Sequence, residues 1–171
     1  MSYRSLLIVV VAAMTTVNVA AQGQTATASP TYEQVIARTW KGLHDKLLVM
    51  AKDTQFPDDK LGWKPHPDSR SVIEELRHVT IGLEMTSARL RGETFDFAAR
   101  EKADATKPKT RASVVSEMEA AIAMSYPLVE KSPQPLLIGW IDHQAEHYGK
   151  LVSNYRSVGI VPPISRKAGS Q

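Results

Sequence analysis

The 171-residue chain is 43% hydrophobic and 23% charged, a balance that supports one packed core and excludes a disordered chain. Lys and Arg number 21 against 18 acidic residues, but the charges are interspersed, so no nucleic-acid surface is implied. Cysteine is absent, which removes disulfides, thiolate nucleophiles and Cys-based metal sites and leaves His and carboxylates as the metal-binding repertoire.

Residues 1–21 read as a secretory signal, with Arg4 at the start, an apolar run from Leu6 to Met14, and small residues Val19-Ala20-Ala21 before an expected cut after Ala21. Thr15, Thr16 and Asn18 dilute the apolar run, so cleavage is expected rather than retention as an anchor. The expectation is an exported protein, periplasmic or secreted, without stable membrane insertion. Residues 22–30 are Gln, Gly, Ala, Ser and Thr with a closing Pro, a flexible leader. The folded domain is expected over residues 31–163, with residues 164–171 as a polar tail.

Within that domain, Tyr32 to about Lys52 carries Val35, Ile36, Trp40, Leu43, Leu47 and Met50 at helical spacing, which predicts a first helix. His44 lies in it and is expected to be partly exposed. Pro57, Gly62, Pro65 and Pro67 break the chain into an ordered connection. Leu61 and Trp63 are expected to pin it to the core, and His66 to face solvent.

Ser71 followed by Glu74 is a capping-box pattern that opens a second helix. Its stripe is Val72, Leu76, Val79, Leu83 and Leu90, and Arg91-Gly92 ends it. Glu93 to Lys109 is long and charged, as expected of a crossover. A third helix is predicted over Ser113 to Glu130, with Pro127 kinking or shortening its end. A fourth spans Leu136 to about Val158, stopped by Gly159 and Pro162-Pro163. The predicted fold is all-α, a four-helix bundle with a long crossover between helices two and three.

The last helix carries the chemistry. His143 and His147, four residues apart, project from one face. Trp140, Leu151 and the neighbouring Leu137, Ile141, Gln144, Tyr148 and Tyr155 set them at the edge of the buried stripe. Two imidazoles in a dry bundle need partners, and a shared ion with a third ligand satisfies them. His78, on the second helix, is the best-placed third ligand, with Glu74, Glu75 and Glu84 as possible outer acceptors or bases. Imidazole favours a divalent transition metal such as zinc, nickel or iron over calcium or magnesium.

Two blocks carry a family resemblance: Leu61-Gly62-Trp63-Lys64-Pro65 running into Ser71-Val72-Ile73-Glu74-Glu75-Leu76-Arg77-His78, and Asp142-His143-Gln144-Ala145-Glu146-His147-Tyr148-Gly149-Lys150-Leu151, followed by Arg156, Gly159, Pro162 and Pro163. Over about residues 32–163 the chain resembles the DinB-like superfamily of bacterial metal-binding four-helix bundles, which includes damage-inducible and YfiT-type proteins. The resemblance implies a metal triad of His78, His143 and His147. It also implies thiol-dependent transferase, isomerase or hydrolase chemistry among characterised relatives. The chain departs from the family where Tyr148 and Lys150 stand in place of the usual Arg and Gln.

Three protein ligands leave an open coordination position for water or an unknown small-molecule substrate. The expected function is therefore that of a metal-dependent enzyme of transferase or hydrolase type. A non-catalytic metal-binding or stress-related module is the alternative. His143-Gln144-Ala145-Glu146-His147 also fits the H-x-x-E-H zinc peptidase pattern, but no His, Asp or Glu follows His147 to complete it. A bundle face able to form a homodimer is the remaining partner expectation.

Overall fold

A computed structural model describes residues 29–167; the expected signal segment, most of the expected leader and the last four residues of the expected tail lie outside them. The described chain is all-helical. Its helices are α1 (Tyr32–Lys52), α2 (Val72–Leu90), α3 (Phe97–Asp104), α4 (Arg111–Lys131) and α5 (Leu136–Ser157). Four are long and one, α3, is short.

Side-chain caps decide where α1, α2 and α4 begin, whereas α5 starts after Pro135 with no side-chain cap. The Ser71 hydroxyl accepts from Glu74 N–H at 3.4 Å, and the Glu74 carboxylate accepts from Ser71 N–H at 2.9 Å, so each satisfies a donor that the first turn leaves free. Thr31 with Gln34 and Thr110 with Ser113 form the same reciprocal pair at α1 and α4. Gly92 and Gly159 stop α2 and α5 with φ of +76° and +78°, a conformation that costs other residues energy. Pro127 lies inside α4 instead of ending it. It removes one backbone donor from the last turn, and Val129, buried beyond it, anchors the continuation.

The helices do not alternate up and down. Both α1 and α2 pack against α4 and α5, which sets α1 and α2 across the core from each other. α4 runs antiparallel to α1, as Trp40 Nε1–H donates to Ser125 Oγ at 3.3 Å and Arg111 donates to the Ala51 carbonyl at 2.9 Å. It runs parallel to α2, since Arg77 meets Ser113 and Arg91 meets Met124. Parallel neighbours need a connection that returns along the bundle, and the segment from Glu93 to Thr110 does so.

That crossover contains α3, which the sequence pattern did not predict. Asp96 caps it by accepting from Ala99 N–H at 2.9 Å. Ion pairs then tie it to the bundle: Arg77 grips Asp104 with two bonds of 2.6 Å each, and Arg100 pairs with Glu84 at 2.7 Å. Bidentate pairs of this kind fix orientation as well as position.

Trp40, Leu47, Met50, Phe56, Leu83, Met118, Leu151 and Tyr155 fill the core. Leu61 is buried as expected, and Trp63 is half-buried. Two expectations on α1 need correction. Val35 is exposed, and His44 is fully buried, edge-tilted on the Trp40 ring at 4.3 Å. His44 falls four residues after Trp40 and three before Leu47, on the centre of the stripe, and its Nδ1–H bonds the Trp40 carbonyl at 2.7 Å. His66 is exposed. Beyond Pro162, a short turn (Pro163–Ser165) folds back so that Arg166 pairs with Asp53 at 2.8 and 2.5 Å. No helix among the described residues is long and apolar enough to cross a membrane.

Candidate metal centre

α2 and α5 approach closely and antiparallel. A Cβ on Gly82 would lie 2.5 Å from the Gln144 amide, and Gln144 Nε2 reaches the Val79 carbonyl at 3.4 Å. This contact, one turn along from the histidines, carries the His143 and His147 face of α5 onto the His78 face of α2. His78, His143 and His147 come together, each with a ring nitrogen within 4.8 Å of the other two. His147 is buried and the other two are half-buried.

The outer nitrogens of His147 and His78 are anchored. His147 Nδ1 lies 2.8 Å from Glu75 Oε2, and His78 Nδ1 lies 2.9 Å from Glu101 Oε1. Burial raises the Glu75 carboxyl, but the hydrogen bond and charge of His147, with the charges of Arg70 and Lys150, outweigh it and hold Glu75 below the ordinary range. An ionised Glu75 can only accept, so His147 Nδ1 carries the ring proton and Nε2 presents a lone pair. That lone pair faces His143 Nε2 at 3.1 Å.

Two imidazole nitrogens this close need either a proton or a cation between them. For tetrahedral ligands bound at 2.0–2.1 Å, neighbouring nitrogens stand about 3.3 Å apart, so this pair fits a shared ion. With Nδ1 of His78 on Glu101, its Nε2 is left for the same centre. Burial is the main cause that lowers the pKa of both His78 and His143, which favours the neutral rings a metal requires.

Aromatic edges flank the rings, with Phe97 5.4 Å from His78 and Trp140 5.9 Å from His143. A cleft of about 210 Å³ reaches His78 between Arg70, Ile81 and Glu101. A larger one of about 650 Å³ runs past Glu75 beneath the loop before α2.

All three histidines named from sequence therefore meet at one point. Of the three acids named beside them, Glu75 touches a histidine, Glu74 closes the α2 cap and pairs with Lys64 and Lys109, and Glu84 binds Arg100. Glu101 was missed, because it reaches the site from α3; the Asp96 cap ahead of Phe97 was the signal available.

A family model of the DinB superfamily matches residues 45–151, more than half of the chain. The chain belongs to the DinB superfamily. Comparisons with curated proteins and with solved structures return no significant match. The DinB match takes in all three histidines and both anchoring carboxylates.

Proposed function

We propose that this DinB-superfamily protein binds a divalent transition metal through His78, His143 and His147 and acts as a metal-dependent enzyme on a small molecule, of transferase or hydrolase type. The observation that carries the reading is the convergence of three ring nitrogens whose outer faces are held, for His78 and His147, by Glu101 and Glu75. Carboxylate-anchored imidazoles are the usual construction of an open three-ligand site. When bound, the metal supplies Lewis acidity at its remaining position.

The protein's own groups divide the work around it. Glu75 and Glu101 fix ring tautomer and orientation, Phe97 and Trp140 restrict water, and His143, the most exposed of the three by its setting on α5, stands nearest an entering molecule. The peptidase reading is weakened because the third histidine comes from α2, before the motif, and Glu146 sits on the exposed side of α5. We further place the mature protein outside the cytoplasm, on the pattern of residues 1–21.

Metal analysis of the purified chain tests the site, alongside His78→Ala, His143→Ala and His147→Ala. The expected result is about one equivalent bound by the unmodified chain and at least tenfold weaker binding in each variant. Unchanged metal content in all three variants overturns the assignment. A cobalt-substituted protein whose visible spectrum shifts with added small acids or thiols supports an open, catalytic position; a spectrum blind to them supports a metal that only stabilises the bundle.

A further inference from the structure

The cleft of about 650 Å³ beside Glu75 is lined by none of the three histidines. It lies between the loop before α2 and the outer face of α5, and Lys64, Arg70, Glu75, Lys150, Ser153 and Asn154 line it. Its wall and the candidate metal centre share one side chain: Glu75 faces the cleft and bonds His147. Anything seated there lies one side chain from the histidines.

Three features of the lining point to an anion. The Lys150 ammonium makes no hydrogen bond or ion pair with any described residue. Arg70 is only loosely committed, 41% exposed and 3.7 Å from Glu101, so its guanidinium can turn to a ligand at small cost. Asn154 borders the cleft with a side-chain amide that has no hydrogen-bond partner among the described residues and reaches solvent there. An amide open to the cleft can bond a ligand without first breaking a hydrogen bond within the protein.

The acids do not cancel these cations. Glu75 is engaged by His147, and Asp68 on the rim is 92% exposed. The charges of Arg70 and Lys150 act on Glu75 and, against the charge of Glu146, on His143.

We infer that this cleft binds the anionic group of a small organic substrate, a carboxylate or phosphate, through Arg70, Lys150 and the Asn154 amide, holding the uncharged part of the molecule toward the histidines. The substrate assignment rests on the metal-dependent reading above; the anion site does not, and is tested without metal. Guanidinium and ammonium groups favour such an anion over a neutral isostere by charge-assisted hydrogen bonds.

The test uses the full chain, stripped of metal and dialysed, at about pH 8 where imidazole is neutral. Benzoate, phenyl phosphate and benzamide are titrated by calorimetry. One of the two anions should bind at least about tenfold more tightly than benzamide, and which one binds better distinguishes carboxylate from phosphate. Arg70→Gln with Lys150→Gln should reduce the preference to about threefold or less, and Asn154→Asp should abolish it, with melting curves checking that each variant folds.

His143→Ala should keep the preference. Equal binding of anion and benzamide, or a preference that survives the double variant, overturns the inference. Metal binding indifferent to the histidine variants, with the anion preference intact, overturns the metal reading alone.

Discussion

The Glu75 carboxylate accepts the Nδ1 proton of His147 at 2.8 Å, across 72 positions of sequence. One contact thereby aligns α2 with α5, selects the ring tautomer and leaves Nε2 free. Glu75→Gln keeps the size of the side chain but removes the charge that fixes this arrangement. Metal affinity should fall about 10- to 100-fold while the helical circular dichroism is retained. A competition titration with a chromophoric chelator measures it, and an unaltered affinity rules out the anchoring role.

Arg77 should influence the same centre without touching it. It is 3% exposed and holds Asp104 by two bonds, so Arg77→Met leaves the buried Asp104 with Arg100 at 3.3 Å as its remaining partner, at a cost of about 1–3 kcal/mol. It also loosens α3, which carries Glu101 to His78. Lower urea midpoints together with weaker metal binding are expected. Arg77→Lys should recover part of the stability and less of the metal affinity, because a single ammonium cannot reproduce the fork.

His44 sets an acid limit on stability. Burial lowers its pKa from 6.5 to about 4, against the opposing hydrogen bond to the Trp40 carbonyl and the charge of Asp45. The unfolded chain takes up this proton below about pH 6.5, whereas the folded chain resists it down to about 4, so the contribution is complete above the first value and lost on approaching the second. The interval corresponds to about 3 kcal/mol. His44→Leu also removes a buried Nε2 that has no partner. Urea unfolding at pH 7 and pH 4.5 should show a flatter acid dependence in the variant; parallel curves contradict the assignment.

Much of this architecture is legible in the sequence where the determinants are local. The Ser71 and Glu74 box, the Gly92 and Gly159 stops, and the spacing of Trp40, Leu43 and Leu47 each act within a turn or two of their own position. Helix α3 escapes such reading because its docking depends on Arg77 and Glu84, whose partners lie a crossover away. Glu75 could be named but not separated from Glu74 and Glu84 until α5 was in place. His44 was readable and misjudged: its spacing from Trp40 and Leu47 matches the stripe, but a polar residue type outweighed the pattern.

Arg166 extends the fold past the last turn. Its guanidinium holds Asp53, itself 9% exposed, with a pair of bonds. Arg166→Gln should cost about 1–3 kcal/mol, visible as a lower melting temperature with metal affinity unaffected. Asp53→Asn in the same background should add little, because the two changes remove one interaction.

The meeting of His78 with His143 and His147 carries a consequence for a chain without cysteine. An ion held there closes a loop that contains α3 and α4 entire, so it acts on the unfolded ensemble as a cross-link does, by reducing the entropy gained when the chain opens. Unlike a disulfide, this closure is set by metal concentration rather than by redox potential. Chelation should therefore release α5 from α2 first, and the protein's lifetime against proteolysis would report how much metal surrounds it.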